Sequence, residues 1–464
     1  MRNTENRTPR AFAWLGRWPR AAATGARLRL DLAAVRRRFA DCANGVGGEA
    51  SARNRVAGLA ATYRTLDERG RREFLELLAE QGRGDDVAAA PLVRAYLEAT
   101  GVEQQLAAAR LRATLAGAPM RILKQFNLLP EGVKFLVDLR ADAIRLGSGN
   151  DALRVVCDGL YALFQDWFAL GNLELRRITW QSPAVLLERL MAYEAVHEIR
   201  SWQDLRHRLE SDRRCYAFFH PRMPHEPLVF VEVALTPAVA TAIGPLLDEA
   251  TPAVDPRAAT TAVFYSISST QPGLRGVPSG GFLIKRVVAD LVAEYPRLTT
   301  FVTLSPVPGF RRWLAQALEA DPAATTLVPP RARATLARQT GTADAGSMIA
   351  RWVGPTAPAG PIGDDALGPP LVALCARYLV TGKRDGRPLD AVARFHFSNG
   401  ARLDRVNWRA DTSPRGLAQS LGIMVNYRYE PAEIEDNHEA YSRDGRLAMS
   451  TGVKRLLRRS SEQV

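Results

Sequence analysis

The stretch FYSISSTQPGLRGVPSGGFLIKRVV, residues 264–288, decides the fold. It opens on the β-prone run Thr261–Ser268, breaks at a loop crowded with Gly and Pro, and resumes as the periodic segment Phe282–Glu294. Strand, glycine-rich loop and helix in that order are the unit of an α/β domain. The loop has a chemical meaning as well. Free N–H groups at a helix start, with glycines that let the backbone approach closely, bind anions. Gly273–Gly281 is not GxxxxGK[ST], which argues against a nucleotide phosphate clamp, and not GxGxxG, which argues against a dinucleotide fold.

Working outward, further β-rich runs appear at Cys215–His220, Leu228–Leu235 and Thr300–Leu304, alternating with helical segments such as Phe310–Ala320. Gly354–Pro370 is too rich in Gly and Pro for regular structure and reads as a loop or linker. Beyond it a helix at Leu371–Leu379 leads to strands near Ala393–Phe397 and Leu403–Trp408, and an amphipathic helix closes the chain. The segment before residue 170 is different. Leu136, Leu139, Ala143 and Leu146 mark one helix that Gly147 stops. Leu153, Val156, Leu160, Leu163 and Trp167 mark the next, which Asp151 can cap. The expected class is α+β: an all-helical bundle over 1–169, with a basic N-terminal tail, followed by an α/β catalytic domain over 170–464. Tyr161, Phe164 and Phe168 add apolar surface to the last helix of the bundle, so a homo-oligomer built through residues before 170 is expected.

Composition narrows the function classes. The chain has 464 residues, 47% hydrophobic and 24% charged, which is the balance of a protein with a sizeable core. No stretch approaches the ~18 uninterrupted apolar residues of a membrane span. The formal net charge of +13 suggests nucleic acid at first sight. Most of that excess lies at the two ends, however, in the Arg-rich first forty residues and in Lys454, Arg455, Arg458 and Arg459. A nearly neutral body is a poor footprint for a nucleic-acid channel, so no such partner is expected. Arg far outnumbers Lys, as in a GC-rich bacterial genome. Cys42, Cys157, Cys215 and Cys375 form no CxxC pair; Cys157 and Cys375 read as buried small hydrophobes, and a reducing cytoplasm is the expected compartment. The Arg-rich, acid-poor start resembles a mitochondrial presequence, but a ragged basic bacterial N-terminus is the preferred reading.

Three places could carry chemistry. The loop Arg275, Gly276, Val277, Pro278, Ser279, Gly280 loosely matches the (Q/R)xxGxG loop by which GNAT-type acetyltransferases hold the coenzyme A pyrophosphate; the plainer reading is a turn with no ligand. Ser305, in TLSPVPGF, lies at the carboxyl end of a strand, where α/β domains place reactive groups. It lacks a GxSxG context, and the plainer reading is a helix-capping serine. His396, in RFHFSNG, is read on a strand with Phe395 and Phe397 on the opposite face; the plainer reading is a satisfied structural histidine. His220, His225 and Glu226 sit in a short Pro-rich connection and do not make a metal motif, so no metal is expected.

Taken together, these segments resemble malonyl-CoA decarboxylases. The matching stretches are Leu175–Trp180, CYAFFHPRMPHEPLVFVEVALT (215–236), residues 264–288, LSPVPGFRRWL (304–314) and FHFSNGARLDRVNWRADTSPRGLAQSLGIMVNYRY (395–429). They run in the family's order. The resemblance implies a GNAT-like domain that converts malonyl-CoA to acetyl-CoA and CO2 with no metal or organic cofactor. It puts the substrate-binding loop on Arg275, Gly276, Val277, Pro278, Ser279, Gly280 and Gly281, the catalytic serine on Ser305, and the proton-donating histidine on His396; a histidine that titrates near neutrality can hold that proton. Animal members have Glu where this chain has Pro278, so either that carboxylate is dispensable or another group, such as Glu226, replaces it. Their interchain disulfide cysteine falls near Ala184, so no redox-linked assembly is expected. The C-terminal Ser-Glu-Gln-Val is not a peroxisomal signal. A CoA-dependent acyltransferase is the alternative enzyme, since one fold hosts both reactions.

Overall fold

The computed structural model describes residues 31–45, 47–81, 86–115, 117–277, 283–340, 344–353 and 367–461. The basic tail 1–30, most of the Gly/Pro-rich segment 354–370 and the loop residues Pro278, Ser279, Gly280 and Gly281 lie outside them. The described part begins with eight helices: α1 (Leu32–Ala43), α2 (Glu49–Thr65), α3 (Glu68–Glu80), α4 (Asp86–Glu98), α5 (Gly101–Leu115), α6 (Gly117–Gln125), α7 (Gly132–Leu146) and α8 (Asp151–Trp167). Short polar side chains start several of them by accepting from N–H groups that have no helical partner. Asp31 accepts from Ala34 N at 3.0 Å and Asp67 from Gly70 N at 2.8 Å. The cap of α8 is Asn150, which accepts from Ala152 N and Leu153 N, and not Asp151 as the sequence suggested. Phe39, Tyr63, Phe74, Phe126 and Phe135 pack edge-on or stacked at the centre of this core.

The bundle changes one expectation about surface. On α8, Phe164 and Phe168 are buried among the other helices, so they present no surplus face to a second molecule. Exposed apolar side chains gather instead on the α4–α5 hairpin, where Leu97 is 71% exposed, Val102 72% and Leu115 60%.

Ten strands follow. They are β1 (Glu174–Ile178), β2 (Arg213–Phe219), β3 (Val229–Thr236), β4 (Thr261–Ser269), β5 (Thr300–Thr303), β6 (Ser305–Pro306), β7 (Lys383–Arg384), β8 (Arg387–Pro388), β9 (Arg402–Asn407) and β10 (Met424–Arg428). The main sheet runs β1-β2-β3-β4-β5-β10-β6, with β9 paired to β10 and β7–β8 forming a separate ribbon. β4 and β5 are parallel, from Thr261↔Thr300 to Phe264↔Thr303, and the other pairs are antiparallel. A parallel neighbour needs a crossover, and helix Leu283–Glu294 provides it. Helices cover both faces, which is why β2 is buried at every position. β4 runs on to Ser269 while its ladder with β5 stops at Phe264. Ser305 lies just beyond that point. A helical bundle followed by a mixed-sheet α/β unit is the α+β class expected.

Candidate active site

Ser305 is delivered by alternation. In β5 and β6 the residues Thr303 and Ser305 point the same way, and the chain then leaves through Pro306, Val307 and Pro308. Val425 of β10 pairs with Ser305, which fixes the serine against a central strand. Helix Phe310–Ala320 is capped at Gly309, so Ser305 does not cap it.

His396 reaches the same place from a helix, and here the structure corrects the strand reading. Residues Ala391–Ser398 are helical because Asp390 caps them, accepting from Val392 N and Ala393 N at 3.0 and 2.9 Å. Asp390 also accepts from Gly309 N at 3.4 Å, which ties this helix to the turn that follows Ser305. The imidazole is 2% exposed and stacks on Tyr427 at 4.4 Å between ring centres.

The two side chains meet. Ser305 Oγ and His396 Nε2 are 3.0 Å apart, and His396 Nδ1 lies 2.8 Å from the hydroxyl of Tyr429. Ser305 Oγ donates to Thr303 Oγ1 at 2.9 Å, and the latter also accepts from Tyr427 N at 3.1 Å. A serine hydroxyl turned to Thr303 pairs with the tautomer that carries its hydrogen on Nε2. In that tautomer Nδ1 accepts from Tyr429. Asn426 braces the base of the arrangement by donating to Thr303 O at 2.7 Å while accepting from Asn407 at 2.8 Å.

Burial decides the charge of the histidine. Desolvation lowers the His396 pKa from 6.5 to about 3, so the imidazole is neutral at physiological pH. That overturns the expectation of titration near neutrality, which took no account of a fully enclosed ring. Burial also pushes the Tyr429 hydroxyl well above 10, so it stays protonated and available as a donor.

The other expected residues lie elsewhere. Arg275 and Gly276 are exposed and Val277 is buried; none of the three hydrogen-bonds Ser305 or His396. Gly276 has φ +85°, a backbone state that glycine adopts without strain. Glu226 is fully engaged, paired with Arg189 at 3.1 Å and accepting from Tyr193 at 2.9 Å. It lines a cavity of about 800 Å³ between α7 and the β2–β3 turn, whose described lining contains neither Ser305 nor His396. Tyr429, Thr303 and Asn426 were not singled out from the sequence. Thr303 was accessible through its i, i+2 relation to Ser305, whereas nothing local marks Tyr429.

The arrangement was compared with known proteins. The model of the malonyl-CoA decarboxylase C-terminal domain matches residues 171–464, and that of the N-terminal domain matches 85–168. The mitochondrial malonyl-CoA decarboxylase of Anser anser anser is 36% identical over 411 residues, covering 84% of this chain and 80% of its own. That of Rattus norvegicus is 39% identical over 347 residues, covering 72% and 69%. Among solved structures, malonyl-CoA decarboxylase from Rhodopseudomonas palustris superposes with a TM-score of 0.77 at 41% identity, covering 91% of this chain and 98% of that one. The Agrobacterium vitis enzyme gives 0.79 at 38% identity, covering 91% and 99%. The chain belongs to the malonyl-CoA decarboxylase family of carboxy-lyases.

Proposed function

We propose that the protein converts malonyl-CoA to acetyl-CoA and CO2 at the Ser305–His396 pair. The observation that carries this reading is the 3.0 Å contact between two side chains, 91 residues apart, at the open end of the β4–β5 ladder. Breaking the bond to the carboxylate releases CO2 and leaves an electron pair on the α-carbon. The thioester carbonyl takes up that pair as an enolate, so no electron-sink cofactor is needed. A site poor in water favours neutral CO2 over the carboxylate. The Ser305 hydroxyl can turn from Thr303 to the thioester oxygen, where one placed donor is worth roughly 2.7–4 kcal/mol. The new C–H bond then takes the Oγ proton of Ser305, which is replaced by the Nε2 proton of His396; the imidazolate so formed is held by the Tyr429 hydroxyl on Nδ1 and takes up a proton from solvent before the next turnover. An enolate carbon is basic enough to accept from a neutral donor, so an imidazolium is not required.

The loop 275–281 is read as the coenzyme A site, residues 1–169 as a helical, oligomer-forming domain and 170–464 as the catalytic domain. No helix among the described residues is long and apolar enough to cross a membrane, and a cytoplasmic location is proposed. The exposed apolar hairpin α4–α5 supports a homo-oligomer, dimer or tetramer, joined through the helical part. Light scattering on the intact chain tests this: a monomer at micromolar concentration overturns it. The family match favours neither the acyltransferase nor the nucleic-acid alternative. Mixing protein with malonyl-CoA alone tests the activity. Acetyl-CoA and CO2 are expected in equal amounts without any acceptor, and turnover that needs an amine refutes the proposal.

A further inference from the structure

The start of the coenzyme A loop is built into the core of the helical bundle and not into that of the sheet. Leu274 and Val277 are buried among the bundle's apolar side chains, together with Val137, Leu160 and Leu163. Gly273 presses directly on α7: a Cβ there would lie 1.8 Å from the carbonyl oxygen of Val137. One charged side chain explains how the backbone is held. Arg140 of α7 is 5% exposed and donates from Nη1 to Gly273 O at 2.6 Å and Arg275 O at 3.0 Å, and from Nε to Cys157 O at 3.2 Å. Its guanidinium lies 5.2 Å from the ring centre of Tyr161, whose hydroxyl donates to Gly276 O at 3.4 Å.

This arrangement orients the loop. In a trans peptide the C=O and N–H point in opposite directions. Fixing the carbonyl of Arg275 against Arg140 therefore turns the N–H of Gly276 away from the guanidinium. An anion is held by such N–H groups. A planar fork with several donors can hold two carbonyls and a third at once, which a single ammonium cannot do in the same geometry.

We propose that Arg140 is a positioning residue for coenzyme A binding, and that the helical part of the chain thereby sets the affinity of a site whose chemistry lies elsewhere. The inference rests on reading 275–281 as the coenzyme A loop. It assigns Arg140 no contact with substrate.

The test measures coenzyme A affinity by calorimetry and malonyl-CoA kinetics on the full chain. Arg140→Met should raise Kd for coenzyme A and KM for malonyl-CoA at least ~10-fold while kcat stays within about 3-fold, because Ser305 and His396 are untouched. Arg140→Lys should recover part of the affinity. Tyr161→Phe keeps the ring under the guanidinium and should raise KM only a few-fold; it is also the variant to read if Arg140→Met does not fold. Arg71→Met breaks the bundle ion pair with Asp142, 2.9 Å long, without touching the loop. It should lower the melting temperature and leave KM unchanged. If Arg140→Met melts earlier but keeps the parental Kd and KM, its role is structural and the inference fails. Gly276→Val separates this from the underlying reading. Weakened coenzyme A binding by Gly276→Val with normal binding by Arg140→Met removes only the Arg140 inference. Normal binding by both removes the loop assignment itself.

Discussion

The helical and sheet-bearing parts of the chain bury polar groups very differently. Among the described residues of the bundle, buried charge amounts to Arg140 and Asp142, and each serves packing: Arg140 holds backbone carbonyls, and Asp142 accepts from Tyr63 and pairs with Arg71. In the sheet-bearing part buried polar groups are more numerous, and two sets of them bond to one another. Ser305, Thr303, His396 and Tyr429 form one chain; Arg208, Asp204 and Glu232 form another. All six histidines also lie after residue 170. A low-dielectric interior makes polar networks strong when satisfied and costly when not. The side that carries such networks is therefore where chemistry is expected, and the side that avoids them serves as scaffold.

The contrast breaks most sharply under substitution. Ser305→Ala and His396→Asn should each lower kcat by at least ~10²-fold while coenzyme A affinity stays nearly intact. Steady-state rates together with binding isotherms check this, and near-normal turnover in either variant would move the chemistry elsewhere. Leu75→Ala on α3, at a fully buried position, should cost about 2–5 kcal/mol of stability by urea unfolding. Its kcat per folded molecule should be unchanged; a matching fall in kcat would mean that the bundle does more than support. Tyr429→Phe should slow turnover by roughly 10-fold, since it removes only the donor that fixes the imidazole tautomer. If it matches Ser305→Ala, the tyrosine itself handles a proton.

The smallest effect is in pH. Burial holds His396 at about 3 and His197 at about 4, and lowers His220 as well, against 6.5 in an unfolded chain. Between pH 6.5 and those values the unfolded chain binds protons that the fold does not, so these groups take stability away as the pH falls. The urea midpoint should be lower at pH 5 than at pH 7, and the drop should be smaller in His396→Asn. An identical drop in both would show that His396 is not held neutral by the fold.

Much of the sheet was legible because β2, β3 and β4 are continuous apolar runs flanked by turn residues, the signature of strands covered on both sides. Ser305 was found through its place at a strand end. His396 was found as a residue but put on the wrong element. Phe395-His396-Phe397 alternates like a strand, and over so short a run only the Asp390 cap tells a helix from a strand. The titration of His396 was not legible, because enclosure by Tyr427 and Tyr429 is a property of the assembled fold. Tyr429 escaped for the same reason. The burial of Phe164 and Phe168 was not legible either, since periodicity shows that α8 is apolar but not that its own neighbours cover it.

The order of the strands has a consequence in time. β10 lies between β5 and β6, yet it comes 124 residues after Thr303 where its Tyr427 N–H meets that side chain. Contacts closed over so long a span form slowly, because the entropy of closing the loop must be met before they contribute anything. Single helices, and the β2–β3 pair that closes over the turn between Phe218 and Val229, join partners near in sequence and can form first. The Ser305–His396 pair is finished only when β10 slots in, so the appearance of activity during refolding should trail the recovery of helical signal and report the last event of folding.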